Sequence, residues 1–189
     1  MAPDHFRRTE STVTERLTRG AHPGAESGTC LMEQVALTAG EPFSDRPRCT
    51  APALAALAQQ VNDRVSDAAR DRLLPLVPAL AAAGSCDPRA AWELVAVCAR
   101  AALAVQPDDA LAGRLLARAA RAQRRWSRVR LDGTAGYVVG LRVLPHLTAA
   151  FHRAAVLAGP VGSPERDDRL VALLHDAVGV PAPEVAALA

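Results

Sequence analysis

Apolar residues recur at three- and four-residue spacing over most of this chain, the pattern that winds into amphipathic helices. Leu54, Leu57, Ala58 and Val61 form one such stripe over Pro52–Val65, and Trp92, Val95, Cys98 and Leu103 form another over Pro88–Val105. Caps and breakers set the ends. Thr29 is a fitting N-cap for a helix over Cys30–Ala39, and Gly40 is its natural stop. Ser66 caps a helix over Asp67–Leu74, after which Pro75 and Pro78 break or kink the chain. Asp87-Pro88 sets an acidic cap before a proline at the first helical position, and Gln106-Pro107-Asp108 punctuates before a helix over Asp109–Trp126. Val and Tyr make Tyr137–Leu144 compatible with a strand. One apolar run continues from it past Pro145, which favours a helix kinked at that proline and extending to Leu157. Gly159-Pro160 closes that run, and Ser163-Pro164-Glu165 opens a last helix to Val178.

The pattern predicts an all-α, single-domain bundle of about six or seven helices, some of them proline-kinked. Residues 1–27 lack sustained periodicity and read as a flexible N-terminal arm with room for a short helix over Thr12–Leu17. The helical domain is expected over 28–180 and a short tail over 181–189. Length agrees, since 189 residues support one sizeable core without needing two. Aromatic residues are only 3% of the chain, so alanine, leucine and valine must build that core. Every basic side chain other than histidine is arginine, with no lysine and no isoleucine, as the codon bias of a GC-rich bacterial genome produces. The net charge of +2 is too small to argue for nucleic acid or an anionic membrane. No apolar run reaches the roughly 18 residues of a membrane span, and the N-terminus lacks a hydrophobic signal core. A cytoplasmic protein with reduced thiols is the expectation.

Candidate chemistry is densest between Gly28 and Cys49, which holds two of the four cysteines together with Glu33, Glu41 and Asp45. Cys30 and Glu33 share a helical face, and the turns through Pro42 and Pro47 can return Cys49 toward them. Cys30, Glu33, Asp45 and Cys49 are therefore a candidate thiolate–carboxylate site for zinc or iron. Two other active readings stand beside it: Cys30 as a thiol activated at a helix N-terminus, and Cys30–Cys49 as a reversible disulfide. Both cysteines also fit as small buried apolar side chains. Elsewhere Tyr137, Arg142 and His146 make a candidate anion pocket, set against solvent-facing polar residues on a helix. His175-Asp176 fits a cation at a helix C-terminus. Arg121, Arg124, Arg125, Arg128 and Arg130 beside Trp126 make a candidate nucleic-acid face, set against a solvated helix face. No dinucleotide, phosphate-loop, zincin or serine-hydrolase motif is present.

Cys30-Leu31-Met32-Glu33, Ala39-Gly40-Glu41, Ser44-Asp45, Pro47 and Cys49, extending into Asn62-Asp63-Arg64 and Arg72-Leu73-Leu74-Pro75, resemble a group of small uncharacterised proteins of actinobacteria and their phages. The resemblance covers roughly 28–80. It implies a unit boundary and no activity.

Three functions are open, in this order. The first is a helical module that binds a protein partner or a small ligand, braced by the 28–49 stretch. The second is a metal- or thiol-dependent protein, an enzyme of specialised metabolism included, built on Cys30, Glu33, Asp45 and Cys49. The third is weak nucleic-acid binding through the Arg121–Arg130 face.

Overall fold

A computed structural model describes residues 16–84, 87–127 and 133–179. Helix α1 (Leu31–Thr38) is followed by α2 (Pro52–Arg64), and then by a broken helical run. That run is α3 (Asp67–Arg70), a 3-10 stretch (Asp71–Leu76) and α4 (Val77–Ala81). The longer α5 (Pro88–Val105), α6 (Ala110–Trp126), α7 (Gly133–Leu157) and α8 (Pro164–Val178) complete the order, with no strand among the described residues. The expected all-α bundle is what the chain forms. Tyr137–Leu144 is helical and runs on through Pro145 within α7; of the turn that Leu131-Asp132-Gly133-Thr134 predicts, the first two residues lie outside the described residues, and Gly133 and Thr134 are already helical in α7.

Local chemistry accounts for the boundaries. The Asp87 carboxylate accepts from the Arg89 N–H and the Ser163 hydroxyl from Arg166, so two helices open on side chains read in the sequence; Asp109, expected as a first helical residue, caps α6 by accepting from Ala112, and Ser66 precedes α3 without a side-chain cap bond. Gly179 closes α8 in the left-handed conformation at φ 76°. The helix expected over Asp67–Leu74 stops early, since it tightens to 3-10 geometry at Asp71 and carries Pro75 inside that stretch.

Helix α5 is the centre. It buries Trp92, Leu94, Val95, Ala96, Val97, Cys98, Ala99 and Ala102, apolar nearly all round, as a helix enclosed by others must be. Helices α6 and α7 lie against it, and α7 and α8 also cover α2. Helix α6 contributes only a narrow stripe, Ala112, Leu115 and Ala119, and turns its arginines outward. One contiguous core runs from Leu17 through Leu174, with Phe151, Leu57, Leu73 and Leu147 wholly enclosed. Charged contacts tie distant elements. Arg153 on α7 donates to the Asp109 cap of α6, and Asp167 on α8 accepts from the backbone N–H and hydroxyl of Ser66. Among the described residues no helix is long and apolar enough to cross a membrane.

Candidate functional site

The 28–49 stretch is organised by a buried carboxylate. Glu33, in the first turn of α1, is 1% exposed. Its Oε1 accepts from the His22 backbone N–H at 2.6 Å, and its Oε2 pairs with His22 Nδ1 at 2.7 Å and accepts from the Cys30 N–H at 2.7 Å. A carboxylate removed from water needs compensation of this kind. His22 Nε2 in turn meets the Thr18 hydroxyl at 3.0 Å, and that oxygen also accepts from the Thr29 N–H at 2.9 Å. The two ring nitrogens of His22 thus bridge the Thr18 hydroxyl and the Glu33 carboxylate.

Residues 16–27, expected as the end of an arm, are drawn on to the bundle by this network. Leu17 is in the core and its N–H donates to Asp71, the Gly20 N–H donates to Asp63, and the Asn62 amide donates to the Thr18 carbonyl. Residues 1–15, with most of the short helix expected over Thr12–Leu17, lie outside the described residues; Arg16 and Leu17 are not helical.

Thr18, His22 and Glu33 reproduce the order hydroxyl–imidazole–carboxylate used to activate a nucleophile. Gly28 decides against that use here. A Cβ built on it would stand 2.7 Å from the Thr18 hydroxyl and 2.8 Å from the His22 ring, so the chain itself packs on the bond where a substrate would have to enter. The arrangement is a brace.

The four residues predicted to share a metal are not brought together. Cys30 is the N-cap of α1, in place of the expected Thr29, and forms a capping box with Glu33. Glu33 is turned to His22. Asp45 takes hydrogen bonds from Gln59 on its carbonyl and its carboxylate, and it meets Cys30, Asn62, Asp63 and Gly20 around a small cavity of about 110 Å³. Cys49 lies beside Thr50, whose hydroxyl is bonded to the Leu80 carbonyl. Cys30 is beside Asn62 and Cys49 precedes the start of α2, so the length of α2 separates them, roughly 15 Å at 1.5 Å per residue. Both thiols are free, and that separation exceeds the reach of a disulfide. Among the described residues no three His, Cys, Asp or Glu side chains are arranged to hold a metal ion.

Nor is Cys30 an activated thiol. Burial pushes it up to about 12 and the neighbouring Glu33 charge adds to this, outweighing the Glu33 and Met32 N–H groups that favour the thiolate. Cys98, expected in the core, is there and is likewise raised to about 12 by burial. Cys49 is raised, again first by burial.

The other candidates separate too. His146 stacks on Trp92 with ring centroids 5.2 Å apart, and its pKa is lowered by burial and then by Arg118. Tyr137, nine residues earlier on the same helix and so about 13 Å along its axis, is exposed, and the expected anion pocket does not form. His175 stands in the last turn of α8, as read, and is buried there. Arg121, Arg124 and Arg125 are exposed, while Trp126 packs against the core instead of standing free to stack. Arg128 and Arg130 lie outside the described residues.

Sequence reading missed an apolar cleft of about 270 Å³ at the end of the bundle where α2 begins. Its walls are Ala51 to Leu54, Ala90, Ala91 and Leu94 of α5, Gly136, Tyr137 and Gly140 of α7, and Ala177 and Val178 of α8. Small residues on three helices open it: Gly140 faces space, with nothing within 4 Å of a Cβ built there. Asp87 and Glu93 also line it. The Arg89 hydrogen bonds hold the Asp87 carboxyl below the usual range. At Glu93 burial opposes the charge, but hydrogen bonds from Arg100 and Gln123 outweigh it and the pKa is lowered. Both are anionic at neutral pH. A run of Ala and Gly in the sequence signals tight packing as readily as a gap, so only the assembled walls reveal the cleft. No protein-family model matches this chain, and no curated protein or solved structure matches it either.

Proposed function

We propose that the protein is a helical binding module whose ligand is a small apolar molecule ending in a basic or hydrogen-donating group. The carrying observation is the cleft between α2, α5, α7 and α8, apolar in its walls and with two anionic side chains, Asp87 and Glu93, at its lining. Concave apolar sites with few polar groups are where small ligands bind. Burying an apolar body there releases about 25 cal/mol per Å² of apolar surface removed from water. Asp87 already pairs with Arg89 and Glu93 with Arg100, so a ligand's donor group would share carboxylates that accept a hydrogen bond better than they repel an acid. The Thr18–His22–Glu33 brace fixes the scaffold on which α2 presents Ala51 to Leu54.

The test uses the fluorescent apolar amine N-phenyl-1-naphthylamine, displaced by octylamine or by octanoate. We expect enhanced fluorescence with the native protein, and displacement by octylamine at a concentration at least ten-fold below that needed of octanoate. Gly140→Leu fills the cleft from a position whose Cβ meets nothing, and replacing a helical glycine favours the helix by up to about 1 kcal/mol. That variant should keep or raise the melting temperature and lose the fluorescence. Native-like binding by a folded Gly140→Leu variant overturns the reading.

A further inference from the structure

Charge is segregated in this molecule, and the near-neutral total conceals it. Helices α6 and α7 hold seven arginines and no aspartate or glutamate. Those seven come from 22 basic side chains, so 15 remain elsewhere against all 20 acidic ones. Of the seven, Arg153 is spent inside the fold on the Asp109 cap. Arg114, Arg118, Arg121, Arg124, Arg125 and Arg142 are exposed, and none of them forms an ion pair among the described residues.

The same two helices carry most of the exposed apolar side chains. Of the seven large ones among the described residues, Leu111, Tyr137, Val138, Leu141 and Val156 stand on α6 and α7. Scattered singly they would need no explanation, but helical spacing aligns them. Val138, Leu141, Pro145 and Val156 run down one exposed stripe of α7, opposite the buried Val143, Leu147, Ala150 and Ala154. Helices α6 and α7 touch each other and both lie on α5. Arg153 near the end of α7 reaches Asp109 at the start of α6, so the two run antiparallel. On α6, Leu111, Arg114, Arg118 and Arg125 share one exposed flank by their three-, four- and seven-residue steps. The outer layer of the pair is therefore unpaired arginine beside an aliphatic stripe.

Nucleic acid and lipid headgroups both attract guanidinium groups, and the apolar side chains decide between them. Nucleic-acid surfaces add aromatic platforms for the bases. Trp126 instead packs against the core and His146 is stacked on Trp92. Apart from Tyr137, what stands free is aliphatic. Aliphatic side chains flanked by arginine suit the boundary between headgroups and acyl chains, where a helix lies in the plane of the surface.

We infer that the outer face of α6 and α7 docks on an anionic lipid surface, its arginines against lipid phosphates and the Val138–Leu141 stripe among the first acyl carbons. It does not rest on the cleft.

The experiment sediments the native protein with vesicles of phosphatidylcholine alone and of phosphatidylcholine with one third phosphatidylglycerol. Co-sedimentation is expected with the second only, weakening as sodium chloride is added. One arginine near an anionic surface is worth roughly five-fold in affinity, so Arg118→Gln with Arg121→Gln should bind roughly thirty-fold more weakly. Val138→Gln with Leu141→Gln should also weaken binding at least ten-fold, with the salt dependence unchanged. Arg46→Gln with Arg72→Gln removes the same charge from exposed positions outside these helices and should bind as the native protein does. All six positions are exposed, so the variants should keep the native circular dichroism, and the native comparison of the two vesicles decides in any case. No binding, equal binding to both vesicles, or an equal loss in Arg46→Gln with Arg72→Gln overturns the inference. Two other results also overturn it. Duplex DNA bound more tightly than the anionic vesicles, and untouched by Val138→Gln with Leu141→Gln, gives the arginines to nucleic acid. Salt-sensitive self-association without vesicles gives the face to the acidic remainder of a second copy.

Discussion

Gly28 is held at φ 128°, a backbone conformation side-chain-bearing residues rarely adopt, with Thr18 and His22 against its missing Cβ. Gly28→Ala should therefore cost about 1–3 kcal/mol in backbone strain, read as a lower urea midpoint. Cleavage at the arginines of 16–19 should quicken as the brace loosens. The thiols make a second prediction. Cys30 and Cys98 are neutral in the fold, pushed up to about 12 by burial, so the folded state holds those protons more tightly than the unfolded chain. Their contribution is complete below the ordinary thiol value near about 8.5 and is lost as pH rises toward about 12. Urea unfolding should show stability falling between pH 8 and 11, and the fall should be shallower in Cys98→Ala. With no lysine and a single tyrosine, few other groups titrate there. The sequence brought Cys30 and Glu33 together, but they meet as cap and third residue of α1 rather than on one helical face. It could not show that the partner of Glu33 is His22, because an irregular segment carries no periodicity from which to read its fold.

Among the elements, α7 spans 25 residues with Pro145 inside. Proline withholds one N–H, and the Leu141 carbonyl loses its helical donor. Pro145 is exposed, so Pro145→Ala should stabilise the protein by about 1–3 kcal/mol, seen as a higher melting temperature with unchanged helicity. Where caps and breakers coincide with apolar stripes, the helices were legible, as at Asp87-Pro88 and Ser163-Pro164. Over 67–81 they were not fully so. Pro75 and Pro78 announce a break, but whether the chain tightens to 3-10 geometry depends on the packing of Leu73, Leu76 and Leu80 into the core.

For the whole molecule, α2 joins two different environments. Its first turn lines the apolar cleft and its last residue lies over the Phe151 ring of α7. The cleft was not foreseen, since it is made by residues from several elements that no local pattern links. The candidate metal cluster failed because Glu33 is taken by His22 and Cys49 is set apart from Cys30 and Asp45, which share one small cavity. The same architecture dictates an order of assembly. Leu17 waits for Asp71, 54 residues later, Gly20 for Asp63, 43 later, and Ser66 for Asp167, 101 later. Contacts of such separation form only after loop-closure entropy has been overcome. On a ribosome, therefore, the Leu17–Cys30 segment emerges early with only its local bonds to Glu33 and within itself, is fastened to the bundle once α2 and the Asp71 turn have been made, and the end of α2 is fastened only when the first turn of α8 has followed.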